Sequence, residues 1–91
     1  MRGDGEGTPT VRLTLLTRAG CHLCDDMKAV AAAAGRTRPL LLEEVDIAAD
    51  RGLERRFATE IPVLMRGDTV LARGRTTLAA LLDRLRRTDP A

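Results

Sequence analysis

The chain has 91 residues, enough for one domain and too few for a second hydrophobic core. Its 15 basic and 13 acidic residues leave a net charge of only +2, so no nucleic-acid-binding surface is expected. Phe57 is the one aromatic residue, which excludes a binding site built on stacked aromatic rings.

The sequence shows no targeting or membrane signal. It contains no apolar run of transmembrane length and no apolar core of a signal peptide. Residues 1–10 are polar and rich in glycine, which predicts a disordered leader. We therefore expect a cytoplasmic protein without a membrane partner, and in that reducing compartment two cysteines three positions apart suggest catalysis or metal binding more than a structural disulfide.

The first half of the chain predicts a strand, a helix and a second strand. Residues 11–17 alternate and then become apolar, as in a strand buried on at least one face. Residues 22–34 place apolar side chains on one helix face, and Gly35 follows where a C-cap glycine is expected. The apolar run in residues 40–45 is typical of a parallel strand covered on both faces. Together they predict a right-handed βαβ unit.

The second half predicts a short helix, a hairpin and a final helix. Asp46 or Asp50 can cap a helix that carries Leu53 and Phe57. Two short strands, 63–65 and 69–72, flank a type II′ turn at Gly67-Asp68. Thr76 or Thr77 can cap a helix with leucines at 78, 81, 82 and 85, and residues 88–91 are expected to fray.

The resulting order is β-α-β-α-β-β-α. It predicts an α/β fold, a four-stranded mixed sheet with helices on both faces, in a domain covering residues 11–87. The sequence shows no internal repeat and no linker.

Cys21 and Cys24 lie at the junction of the first strand and the first helix. Unpaired N–H groups at the helix start stabilise a thiolate at Cys21, and thiols so placed have pKa values lowered from about 8.5 to roughly 3.5–7.5. Cys24 lies about one turn further and can close a disulfide. This arrangement predicts a nucleophile, Cys21, and a resolving thiol, Cys24.

Three polar neighbours bear on this chemistry. His22 can add positive charge beside the thiolate or simply face solvent. Asp25 and Asp26 suit the first helical turn, but their negative charge opposes a thiolate. A pair of inert, buried cysteines is the alternative interpretation of Cys21 and Cys24.

With the pair placed, the sequence resembles the compact bacterial glutaredoxin-like proteins of the thioredoxin superfamily, from about residue 11 to residue 87. Three segments carry the resemblance, and the first is specific: residues 15–25, LLTRAGCHLCD; residues 60–64, EIPVL; and residues 72–78, ARGRTTL. The resemblance implies a thioredoxin-like, glutaredoxin-type fold and a dithiol–disulfide oxidoreductase that reduces protein or small-molecule disulfides.

The resemblance also implies supporting residues. It implies that Pro62 follows a cis peptide bond and that Ile61 offers backbone groups to an extended substrate. Arg18 matches a basic residue that helps to bind the glutathione carboxylate, and Arg55 or Arg56 could assist from the second helix.

The glutathione site that the resemblance implies is incomplete. The family pattern Gly-Gly-x-Asp-Asp is Arg-Gly-Arg-Thr-Thr at residues 73–77, so only Gly74 is retained. Thr76 and Thr77 replace the acids that hold the ligand's amine. We therefore expect no tightly bound cofactor, weak or unproductive glutathione binding, and either glutathione or a thioredoxin-reductase-type system as the reductant.

Two other functions remain open at this stage. Two chains could bridge a metal or an iron–sulfur cluster, although one chain supplies too few ligands for a zinc site. The chain could also be a redox-silent adaptor. The hypothesis of a dithiol–disulfide oxidoreductase implies a monomer without bound metal that acts on a disulfide-bearing partner.

Overall fold

The computed structural model describes residues 9–90. This part of the chain contains four β-strands and three α-helices in the predicted order, with one 3₁₀ turn. Of the predicted leader, residues 1–8 lie outside the described residues, and residues 9 and 10 are exposed. No helix within residues 9–90 has the length and apolarity needed to cross a membrane. The elements are β1 (Val11–Thr17), α1 (His22–Gly35), β2 (Leu40–Asp46), the 3₁₀ turn (Ile47–Ala49), α2 (Arg51–Phe57), β3 (Val63–Arg66), β4 (Thr69–Arg73) and α3 (Leu78–Thr88).

The four strands form one mixed sheet in the order β2-β1-β3-β4. β1 runs parallel to β2, with Thr17 opposite Asp46, and β3 is antiparallel to both β1 and β4. The β3–β4 hairpin turns at Gly67, whose φ of +59° a side chain would disfavour. Asp68 has no positive φ, which agrees with the predicted type II′ turn.

Helices cover both faces of the sheet and create two hydrophobic clusters. α1 and α3 pack on one face, and α2 with the 3₁₀ turn packs on the other. Adjacent residues Leu15 and Leu16 of β1 are 0% and 3% exposed and belong to different clusters. β1 is therefore buried on both faces near its C-terminal end, where Leu15 and Leu16 lie, and the predicted α/β fold with its mixed sheet is confirmed.

The predicted burial of β2 on both faces is wrong. β2 is an edge strand that pairs only with β1 among the described residues. Leu40 and Leu42 pack against the cluster under α1, while Leu41 points to the other face and is 54% exposed. The short α2 covers Val45 at the far end of this strand but leaves Leu41 uncovered.

The predicted N-caps are found, and both alternatives at the second helix are used. Asp46 accepts a hydrogen bond from the backbone within the 3₁₀ turn, and Asp50 caps α2. Thr77, not Thr76, caps α3. Gly35 is not a C-cap glycine, because α1 includes it and ends on Arg36 with an ordinary right-handed conformation.

Thr88 and Asp89 are anchored, although the sequence predicts fraying over residues 88–91. Thr88 is the last residue of α3, and the Asp89 carboxylate accepts two hydrogen bonds from Arg38, at 3.0 and 3.1 Å. Arg66 of β3 also donates to Asp89, at 2.7 Å, and to the Leu85 carbonyl. These two arginines lower the pKa of Asp89 from 3.8 to about 2, with Arg38 the larger cause. The contacts tie α3 to the sheet.

We predict that Asp89→Asn lowers the melting temperature at neutral pH. The lowered pKa means that the carboxylate stabilises the folded state fully above pH 3.8 and loses this effect as the pH falls through about 2. The difference in melting temperature between the wild type and Asp89→Asn should therefore shrink in that window, as measured by circular dichroism. Asp83→Asn is the control, because Asp83 pairs with Arg86 and Arg87 side chains that are 70% and 71% exposed. An equal loss in both variants would contradict the anchoring role.

Candidate functional site

Cys21 occupies the N-cap of α1, directly after the loop that follows β1. Its backbone is extended (φ −96°, ψ 107°), and its Sγ accepts a hydrogen bond from the Cys24 N–H at 3.1 Å. Gly20 precedes it with a φ of +75°, a conformation that a residue with a side chain rarely adopts. The chain thus turns sharply out of the central strand and presents a sulfur to the first N–H groups of the helix.

Cys21 and Cys24 form a disulfide, with Cα atoms 5.2 Å apart. The two residues differ in burial: Cys24 is 3% exposed, while Cys21 is only partly buried. A thiolate that attacks a substrate must be accessible, whereas a thiol that only meets its own neighbour need not be. The geometry therefore suits attack at Cys21 and resolution by Cys24.

The polar neighbours predicted beside the pair face solvent. His22, Asp25 and Asp26 are all exposed near the start of α1. Leu23, between the cysteines, is partly buried. Within residues 9–90 no three side chains of His, Cys, Asp or Glu come together as a metal-binding group.

Ile61 and Pro62 lie in the loop before β3, and the bond between them is cis, as the resemblance implied. Pro62 is buried, and its carbonyl accepts a hydrogen bond from the Gly74 N–H at 2.8 Å. The Ile61 N–H donates to the Phe57 carbonyl at 3.1 Å. Of the two backbone groups expected of Ile61, the N–H is therefore already bonded within the domain, whereas the carbonyl accepts none of the backbone hydrogen bonds outside helices and strands found among residues 9–90.

Gly74, Thr76 and Thr77 line one cavity of about 460 Å³, together with Asp26 and other residues. The structure thus brings together the residues predicted for the end of the glutathione site. The Thr77 hydroxyl is already engaged, since it accepts a hydrogen bond from the Ala80 N–H at 3.1 Å as the cap of α3. The remaining lining residues are Met27 and Arg75.

Arg18, three residues before Cys21, makes an ion pair across the site. Its Nη2 lies 3.0 Å from Oε2 of Glu54 on α2, and the two side chains are 38% and 45% exposed. The loop before the dithiol is therefore linked to α2. Arg55 and Arg56 of the same helix are exposed, and the guanidinium of Arg56 lies 4.9 Å from the centre of the Phe57 ring.

Comparison with known proteins identifies the family. The family model of the glutaredoxin-like domain (DUF836) matches residues 12–86. The chain belongs to the glutaredoxin-like domain family. A comparison with curated proteins finds no significant match.

Several solved structures share the fold of this glutaredoxin-like domain. The crystal structure of XcR50 from X. campestris is 28% identical with a TM-score of 0.72, over 85% of this chain and 99% of that chain. Ne2328 from Nitrosomonas europaea is 24% identical with a TM-score of 0.73, over 85% and 93% of the two chains. Human ERp44 is 18% identical with a TM-score of 0.56, over 88% of this chain and 28% of its own.

Two features of the domain's site were missed from the sequence. The sequence places Asp26 at the helix start, where its charge opposes a thiolate, but does not show that it lines the cavity beside Thr76 and Thr77. The sequence also does not show that Glu54 pairs with Arg18. Both contacts join residues far apart in the chain, and no local pattern of spacing could have shown them.

We predict that the reduced domain is alkylated first at Cys21. Iodoacetamide in sub-stoichiometric amount at about pH 6 should label Cys21 faster than free cysteine, because only this sulfur is accessible and lies at the helix start. Peptide mass analysis locates the label, and free N-acetylcysteine is the reference. Preferential labelling of Cys24, or labelling no faster than the reference, would overturn this assignment and favour a redox-silent protein.

Proposed function

We propose that this glutaredoxin-like domain is a dithiol–disulfide oxidoreductase that reduces protein or small-molecule disulfides. The observation that carries the proposal is the Cys21–Cys24 disulfide at the start of α1, with one accessible and one buried sulfur. The family membership supports it, since the matched residues 12–86 include both cysteines.

The reaction transfers two electrons from the domain to the substrate. The Cys21 thiolate attacks one sulfur of the substrate disulfide, and the other sulfur leaves as a thiolate that takes a proton from solvent. Cys24 then loses its proton and attacks the Cys21 sulfur, releasing the second substrate thiol. The substrate gains two thiols, and the domain is left with the disulfide seen here.

The helix start stabilises the attacking sulfur. The Cys24 N–H, which donates to the Cys21 sulfur at 3.1 Å, can donate more strongly to a thiolate, because hydrogen bonds to charged acceptors are roughly twice as strong. The positive end of the α1 dipole acts in the same direction. Exposed Asp25 and Asp26 act in the opposite direction.

Neighbouring backbone can guide an extended substrate. The carbonyl of Ile61 can accept a hydrogen bond from the N–H of a peptide that lies beside the loop, while the Ile61 N–H remains bonded to Phe57. We further propose that the domain works as a monomer in the cytoplasm, without a tightly bound cofactor. A thiol or dithiol reductant, either glutathione or a thioredoxin-reductase-type system, would return the disulfide to the dithiol.

We predict opposite outcomes for the two serine variants. Cys21→Ser should abolish reduction of bis(2-hydroxyethyl) disulfide, because no nucleophile remains. Cys24→Ser should accumulate a mixed disulfide at Cys21, because attack survives and resolution does not. Intact-mass analysis of the reduced variants after mixing with the disulfide checks both. A reactive Cys21→Ser variant would refute the assignment, and bound iron or zinc in the purified reduced protein would support a metal-binding function instead.

We also predict that glutathione binds weakly, because Thr76 and Thr77 offer no negative charge to its amine. A charge-assisted hydrogen bond contributes about 1.5–3 kcal/mol, so Thr77→Asp should raise the affinity about tenfold or more. Aspartate also caps a helix well, so α3 should persist. An NMR titration compares the wild type, Thr77→Asp and the control Thr69→Asp in the hairpin. Equal, tight binding by all three would show that Asp26, in the same cavity, already supplies the charge.

A further inference from the structure

Arg18 is the basic residue of the loop that leads into Cys21, and the chain's own carboxylate neutralises it. Its Nη2 donates to Oε2 of Glu54 at 3.0 Å, and both side chains remain partly open to solvent. Asp25 and Asp26 follow Cys24 and are exposed. Arg18 therefore lies in a part of the chain that also carries three carboxylates, one of which is its own ion-pair partner.

We propose that Glu54 determines the charge specificity of the dithiol by competing with substrate carboxylates for Arg18. The substrate class that follows is a neutral or cationic disulfide, in preference to one with carboxylates close to its sulfurs. The proposal rests on the proposed oxidoreductase function and adds a residue and a substrate class to it.

The strength of the ion pair sets the expected size of the effect. An exposed ion pair of this kind is weak. Glu54 is therefore paired with Arg18 for most of the time but can be displaced. An anionic substrate has to displace Glu54, and removing the competitor should increase its reaction rate roughly two- to sixfold. The effect should be largest at low ionic strength, because salt screens exposed charges within about 3 Å at 1 M.

Other arginines near the site could also attract an anionic substrate, so their contribution has to be separated from that of Arg18. Arg75 lines the neighbouring cavity, and Arg55 and Arg56 are exposed on α2. Arg73 is paired with Glu60 at 2.7 Å. A double variant that also removes the Arg18 charge separates the contribution of Arg18 from theirs.

The experiment uses three small disulfides that differ in charge. The fully reduced full-length protein is mixed with 3,3′-dithiodipropionate (anionic), bis(2-hydroxyethyl) disulfide (neutral) or cystamine (cationic) at low ionic strength. Acid quenching and mass analysis give the rate constant for oxidation of the domain. In Glu54→Gln, the rate with the anionic disulfide should rise roughly two- to sixfold relative to the neutral one. The rate with cystamine should stay the same or fall.

Glu44→Gln is the matched control. Glu44 pairs with Lys28 at 3.2 Å, and these side chains are 47% and 49% exposed, so the change removes the same charge from a similar pair. Its anionic-to-neutral rate ratio should stay close to that of the wild type. Glu54→Asp, which keeps the carboxylate, should return the ratio toward the wild type. Arg18→Gln combined with Glu54→Gln, or 1 M salt, should remove the gain.

The proposal is overturned if Glu54→Gln changes all three rates alike, if Glu44→Gln gives the same gain, or if the gain survives in the double variant. Circular dichroism confirms that each variant is folded. If the reduced wild type reacts with none of the three disulfides faster than free dithiothreitol, the oxidoreductase function itself fails. That result is distinct from an active wild type whose Glu54→Gln variant shows no charge preference.

Discussion

The burial of the C-terminal end of β1 on both faces is the constraint on which the site depends. Leu15 belongs to the cluster under α1 and α3, and Leu16 belongs to the cluster under α2. β1 also lies between β2 and β3, so main-chain hydrogen bonds hold it on both sides. A strand held in this way cannot shift its register without moving its apolar side chains to the wrong faces. The position of Thr17 at the end of β1 is therefore fixed, and this determines where α1 begins a few residues later.

Cys21, the N-cap of α1, has two roles in this position. In the disulfide form, the Cys21 sulfur accepts the Cys24 N–H and satisfies one of the unpaired donors at the helix start. In the proposed reaction, the same N–H would donate to the Cys21 thiolate. Serine, threonine, aspartate or asparagine would make a better cap, but none of these side chains forms a disulfide. The structure thus combines a modest helix cap with a reactive group at one residue.

Local signals in the sequence were sufficient for the elements and for the dithiol. Alternation in residues 11–17, helical spacing in α1 and α3, and the Gly67-Asp68 turn each depend on neighbours only a few positions away. The errors came from contacts between distant parts of the chain. The apolar run of β2 resembled a central strand, because its place at the sheet edge depends on where β3 inserts. The sequence of the last residues resembled a frayed end, because Arg38 and Arg66, which hold Asp89, lie far away in the chain.

The candidate site likewise combines features that local sequence shows with contacts between distant parts of the chain. The position of Cys21 and Cys24 was readable from the sequence, whereas the pairing of Arg18 with Glu54 required the packing of α2 against the sheet. Neither cysteine lines the cavity beside Thr77. In the proposed reaction, recognition would therefore rest on backbone groups such as the Ile61 carbonyl and on exposed charges near Cys21. Exposed charges contribute little individually, and a substrate can displace one without unfolding any part of the domain. A weak internal ion pair is thus compatible with the proposed reaction, in which the site binds a disulfide and releases its thiols.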